Sequence, residues 1–271
     1  MPEGDTIHRA ASRLANALTG HSVTRFEAPR LVAPGPAPGT TVEEVEARGK
    51  YLLIHFDDGL TLETHMRMTG SWHLYRPGER WRRPRSTLRA LVATDRWEAV
   101  CFSAPHVVLV DRNRRGGRGR DGTDHLGPDL CRADPDLDEV VRRLDERRPS
   151  TDPIAVALLD QRVFCGVGNV YKSEVLHACG VHPDTPVAAL GPDLRRCLAG
   201  TAHRLLRANL GGGPRVTVSG GLAVYGRRGE PCRRCGAPVE RAVHGEHARS
   251  TYWCPRCQPA PGPSREVPAP I

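Results

Sequence analysis

The sequence predicts an α+β protein: an N-terminal helix, then an antiparallel β-sandwich or barrel, then a helical region ending in a small metal-held module. Three observations carry this reading. Between about residues 41 and 110, short strand-like runs recur with turn signals between them. Beyond residue 124 the apolar spacing becomes helical. Near the C-terminus four cysteines fall into two close pairs, Cys232/Cys235 and Cys254/Cys257.

The first helix is marked by Ile7, Ala11, Leu14 and Leu18 at helical spacing, with His8, Arg9, Ser12 and Arg13 opposite and Gly20 as a stop. Leu60, Leu62 and Thr64 alternate with Thr61, Glu63 and His65 after a turn at Asp58-Gly59, as in a hairpin. The runs 88–94, 98–102 and 106–110 continue the β pattern. Residues 111–124 interrupt it with five arginines and four glycines, which suits a flexible linker or a segment lying along phosphates. Leu137, Val140, Val141 and Leu144 then share a helix face. Asp152-Pro153 offers a cap and first-turn proline for a helix carrying Ile154, Ala157 and Leu158. A Gly166-Val167-Gly168 turn opens a helix near Asn169, and another runs from about Pro192 to Asn209 before three glycines. The Pro-rich end, 259–271, is expected to be disordered.

Composition narrows the function classes. The chain has 271 residues, 39 Lys+Arg against 31 Asp+Glu, and a net charge of +8. Its lysines are only Lys50 and Lys172. No apolar run approaches the roughly 20 residues of a membrane helix. The start MPEGDTIHRA places acids where a signal peptide needs a basic and then an apolar stretch, so secretion is not expected. Five further cysteines, Cys101, Cys131, Cys165, Cys179 and Cys197, are scattered singly. That pattern predicts a reducing, cytoplasmic compartment rather than a disulfide framework.

Cys232-x2-Cys235-x18-Cys254-x2-Cys257 has the spacing of two knuckles that close a tetrahedron around one Zn2+. A module this short cannot bury enough core alone, and zinc-binding energies of about 10–16 kcal/mol suffice to fold it. Four protein ligands leave no open position, so the metal is structural. Arg249, just before the second knuckle, suits a phosphate probe on a zinc-held hairpin, or simply a solvated arginine. Gly166-Val167-Gly168-Asn169 suits an anion site at a helix N-terminus, or an ordinary Asn cap.

Pro2 following Met1 permits a free secondary amine at the chain start. Such an amine attacks an aldehyde-level carbon and yields an iminium that favours elimination. At neutral pH an α-amine is uncharged up to about a few hundred-fold more often than a lysine. Glu3 beside it suits general acid/base work.

Five segments in order then resemble the Fpg/Nei family of DNA glycosylases, the group of formamidopyrimidine-DNA glycosylase and endonuclease VIII. They are PEG at 2–4, VEARGKYLLIHF at 45–56, DQRVFCGVGNVYKSEVL at 160–176, VYGRRGEPC at 224–232 and ARSTYWCPRC at 248–257. The resemblance implies a β-sandwich catalytic domain over 1–112, the linker at 113–128, a helix-two-turn-helix domain over 129–213 and a zinc finger over 222–258. Damaged double-stranded DNA would lie between the modules. It implies Pro2 as Schiff-base nucleophile, Glu3 as proton donor and acceptor, and Lys50 of the RGK motif as a phosphate-binding catalytic lysine. By itself Lys50 reads as an exposed strand residue. Asn169 and Arg249 match the family's phosphate-binding pair. His65-Met66-Arg67-Met68-Thr69-Gly70 resembles its void-filling loop, with Met68 as the wedge unless it is a buried strand residue.

The implied activity is bifunctional: base excision through the proline Schiff base, then β,δ-elimination at the abasic site, by a monomer associated with the bacterial nucleoid. PEGDTIHR is nearer the endonuclease VIII side, with Thr6 where many relatives place a further glutamate, whereas HMRMTG resembles the formamidopyrimidine side. Oxidised pyrimidines are therefore expected ahead of 8-oxoguanine-type purines. The competing classes are a non-catalytic zinc-finger protein that recognises damaged DNA and an abasic-site lyase without useful base removal.

Overall fold

The structure is a computed structural model that describes residues 2–113, 122–147, 149 and 151–261. It forms two compact units, Met1–Cys131 and Arg132–Ile271. The central part of the Arg/Gly linker and the end of the C-terminal tail lie outside the described residues. No helix among the described residues is long and apolar enough to cross a membrane.

In the first unit, α1 (Gly4–Leu18) buries Ile7, Ala11, Leu14, Ala17 and Leu18, the stripe its spacing predicts. Gly20 follows at φ +78, where a side chain would be strained. The strands are β1 (Arg25–Glu27), β2 (Val42–Arg48), β3 (Tyr51–Phe56), β4 (Leu60–His65), β5 (Ser71–Tyr75), β6 (Leu88–Ala93), β7 (Glu98–Phe102) and β8 (His106–Asp111). They form two four-stranded sheets in the orders β1-β6-β7-β5 and β2-β3-β4-β8. Every neighbouring pair is antiparallel.

The β6 and β7 runs read as nearly unbroken apolar sequence because both faces are covered. Ala90, Val92, Ala99 and Cys101 join the core beneath α1. The alternate residues Leu91, Ala93, Val100 and Phe102 form a second cluster with Tyr75 and Trp81.

The second unit contains α2 (Leu137–Arg147), α3 (Ile154–Ala157), α4 (Asn169–Cys179), α5 (Pro192–Ala208) and a hairpin of β9 (Glu240–His244) and β10 (Arg249–Trp253). The helix expected after Asp152-Pro153 is a single turn. Its Ile154 and Ala155 amides are taken by the carbonyls of Thr185 and Pro183, at 2.9 and 3.1 Å, so no side-chain cap is present. Helix α4 is buried on all sides from Asn169 to His177 and packs against α5 and β10. Contrary to the expectation of isolated thiols, Cys179 and Cys197 form a disulfide with Cα atoms 6.1 Å apart. The packing of α4 on α5 creates this neighbourhood, which linear spacing does not reveal.

Candidate active site and zinc module

Pro2 is half-buried and stands immediately before α1. Glu3 is fully buried at the helix N-cap, where its carbonyl accepts the Thr6 and Ile7 amides at 2.9 and 3.1 Å. The same helix carries His8, whose Nε2 lies 2.8 Å from Asp129 Oδ2.

Asp129 connects this helix to the RGK turn. Its Oδ2 also accepts the Gly49 amide at 2.9 Å, and its Oδ1 accepts the Cys131 amide at 2.9 Å. Burial alone would raise the Asp129 carboxyl, but His8 and these two amides hold it below the ordinary carboxylate range. Gly49, at φ +56, and Lys50 form the turn between β2 and β3, with Arg48 paired to Tyr51. Lys50 is thus a half-buried turn residue rather than an exposed strand residue. Sequence reasoning missed Asp129, whose only signal was an acid in a Gly-Pro turn far along the chain.

Lys50 acts electrostatically on His65, at the end of β4. Adjacent strands pair Tyr51 with His65, and their rings meet edge-on at 4.8 Å. Burial pushes the His65 ring down to about 4, and Arg67, Lys50 and His106 press in the same direction. The Arg67 amide donates to His65 Nδ1 at 3.1 Å, so the neutral ring carries its proton on Nε2. Arg67 itself adopts φ +48 in the turn after β4. Within that turn Met66 is buried while Met68 is 61% exposed, which removes the buried-strand alternative for Met68.

In the second unit, Gly168 rather than Asn169 occupies the N-cap of α4. Asn169 is 6% exposed, and its buried Oδ1 has no hydrogen-bond partner among the described residues. The ordinary Asn cap is therefore not what holds this side chain. Gln161 shapes the preceding loop, donating to the Leu159 and Val167 carbonyls at 2.8 and 2.9 Å and accepting the Gly166 amide at 3.1 Å. Arg249 begins β10 opposite His244, after a turn in which Gly245 and Ala248 have positive φ.

The four cysteine sulfurs lie within 4.8 Å of one another. Cys232 and Cys257 are 4.0 Å apart, and Cys235 and Cys254 are 3.4 Å apart. Four thiolates about 2.3 Å from a tetrahedral zinc stand about 3.8 Å apart, so the donor set fits one structural Zn2+. His177 Nε2 lies 3.4 Å from Cys232 Sγ, bracing that ligand from α4.

Three family models match the chain: the formamidopyrimidine-DNA glycosylase N-terminal domain at residues 1–117, its H2TH domain at 126–218, and the zinc finger found in FPG and IleRS at 229–260. The chain belongs to the Fpg/Nei family. A probable endonuclease 8 2 of Streptomyces coelicolor is 41% identical over 271 aligned residues, covering 97% of this chain and 96% of that one. The DNA-(apurinic or apyrimidinic site) lyase Nei2 of Mycolicibacterium smegmatis is 37% identical over 96% of this chain and 100% of the relative.

Solved structures of the family share the fold. MutM in complex with DNA containing carbocyclic 8-oxo-G superposes with a TM-score of 0.80 at 24% identity, covering 96% of this chain and 100% of that one. The Lactococcus lactis Fpg complex with abasic-site DNA gives 0.79 at 24% identity over 95% of this chain and 100% of the other. Asp129 in the first unit and Lys172 and Glu174 in the second are additional buried charged groups, and Gln161 is half-buried.

Proposed function

We propose that this Fpg/Nei family member excises oxidised bases from double-stranded DNA, pyrimidines ahead of purines, and then cleaves the strand at the abasic site. The observation that carries the catalytic assignment is the chain start. Pro2 precedes a fully buried Glu3, on a helix tied through His8 and Asp129 to the turn bearing Lys50.

With Met1 removed, the Pro2 amine attacks the sugar's anomeric carbon, and the damaged base leaves with the glycosidic electron pair and a proton. The nitrogen then loses its proton and its lone pair expels the sugar ring oxygen, which takes up a proton, so the opened sugar is held as a cationic iminium. That cation accepts the electrons released when a proton leaves the neighbouring carbon, so the 3′ phosphate is eliminated, followed by the 5′ phosphate. Hydrolysis of the remaining iminium frees Pro2. Glu3 is the group we assign to the proton transfers, and Lys50 to phosphate binding.

Asn169 and Arg249 hold the backbone while the base is out of the stack. Met68, exposed at a turn, fills the vacated space, with His65 beside it. The protein works as a monomer in the cytoplasm. The near full-length relationship to an endonuclease 8 supports the pyrimidine preference.

Borohydride with an abasic-site duplex should trap a covalent adduct on Pro2. Its absence in protein lacking Met1 would overturn the Schiff-base assignment and favour a non-catalytic binder. Duplexes bearing thymine glycol, dihydrouracil, 8-oxoguanine or a plain abasic site test the substrate. Faster excision of 8-oxoguanine would reverse the stated preference. Cleavage of only the abasic site would leave a lyase without base removal.

A further inference from the structure

Lys172 is fully buried on the first turn of α4. An ammonium in that place carries two costs: desolvation, and proximity to the positive end of a helix. It is also one of two lysines in a chain whose 39 Lys+Arg are otherwise arginine. Its Nζ donates to the Ser250 carbonyl on β10 at 3.2 Å.

The next residue on α4, Ser173, accepts the Tyr252 amide on its Oγ at 3.2 Å. Adjacent helix residues therefore grip alternate residues of one strand. β10 pairs with β9 in a two-stranded sheet, so α4 supplies partners on the strand's other edge. Asn169 lies three residues before Lys172, and Arg249 lies one residue before Ser250. Of these two links, the lysine's lies closer in sequence to both proposed phosphate ligands.

We infer that Lys172 is a positioning residue that registers Arg249 of the zinc hairpin against Asn169 of α4, so that the two act as one phosphate clamp. The inference rests on the proposed phosphate roles of Asn169 and Arg249. A compact ammonium suits the task because it donates from a buried position to a backbone carbonyl, without the width of a guanidinium. Lys172 touches no DNA in this arrangement. Its effect passes through β10 to Arg249.

The test is a double-mutant cycle on the zinc-loaded protein, with a duplex bearing a tetrahydrofuran abasic-site analogue as probe. Lys172→Met keeps the length of the stem and removes the charge and donor. It should weaken binding about tenfold and, like Arg249→Ala, flatten the log–log salt dependence by about one unit, with zinc content unchanged. On the Arg249→Ala background, Lys172→Met should add less than about twofold, because the residue it positions is gone.

Multiplying penalties in the double variant, or parental binding by Lys172→Met, would overturn the inference. So would loss of zinc in Lys172→Met, which would mark the lysine as a support of the finger's fold. If Arg249→Ala alone leaves the salt slope unchanged, the phosphate reading itself fails, and that result is separable from the others.

Discussion

Glu174 supplies the sharpest energetic prediction. This α4 carboxylate is 1% exposed and anchors the chain segment entering the zinc finger. Its Oε1 accepts the Val224 and Tyr225 amides at 3.0 and 2.8 Å. Its Oε2 accepts the Ala223 amide at 2.7 Å and the Thr217 hydroxyl. Bonds to a charged acceptor contribute about 1.5–3 kcal/mol each, and buried donors left alone cost about 1–3 kcal/mol each.

Glu174→Ala removes the shared acceptor of four donors, leaving the Val224 and Tyr225 amides stranded, and opens a cavity. Allowing for relaxation and non-additivity, it should destabilise the unit by about 5 kcal/mol, a large share of a typical domain's 5–15 kcal/mol. Glu174→Gln should be much milder. Its amide nitrogen is best placed at Oε2, where the Thr217 hydroxyl can turn to accept. Ala223 then keeps Thr217 Oγ, at 3.3 Å, as a substitute acceptor. The remaining loss is the charge on two good bonds and one weakened bond, about 2 kcal/mol. Denaturant unfolding gives the totals, and native-state hydrogen exchange at residues 223–225 localises them. A Gln variant within about 0.5 kcal/mol of the parent, with exchange at those amides unchanged, would refute the reasoning.

Asp129→Asn weakens the link between α1 and the Lys50 turn, because one side-chain oxygen must become a donor facing either an amide or His8. We expect kcat for abasic-site cleavage to fall at least tenfold with KM little changed; parental kcat would separate this link from catalysis. For His65, the folded-state value of about 4 lies below the unfolded value near 6.5. Its contribution is therefore fully present above pH 6.5 and is lost as pH falls toward 4, by no more than about 3 kcal/mol, because the ring is partly solvent-screened. Unfolding midpoints at pH 5 and 7.5 should differ less in His65→Gln than in the parent. Stripping zinc with a chelator should raise hydrogen exchange across 231–258 and abolish duplex binding, while the β-sandwich keeps its protection; uniform loss of protection would contradict a local role for the metal.

Much of the molecule is legible in residue order because the relevant forces are local. Helix α1 shows its buried stripe through period alone, and the cysteine knuckles announce zinc through spacing. The loop after β4 is less legible. Met66 and Met68 have the same chemistry two positions apart, and only the turn after β4 decides that one is buried and the other exposed. Asn169 posed a similar ambiguity, because a cap and an anion ligand call for the same residue type. The turn into α4 places Gly168 in the cap and leaves the Asn169 oxygen without a hydrogen-bond partner among the described residues.

Residue types and spacing by themselves determined the family and the metal-binding cysteines. Those properties reside in short segments whose meaning survives without the rest of the protein. Tertiary structure alone decided which charges are buried and what they hold. Asp129 meets Gly49 across 80 residues, Lys172 meets Ser250 across 78, and Glu174 meets Tyr225 across 51. No local pattern encodes such partners, because a buried charge is tolerated only where distant backbone groups converge to satisfy it.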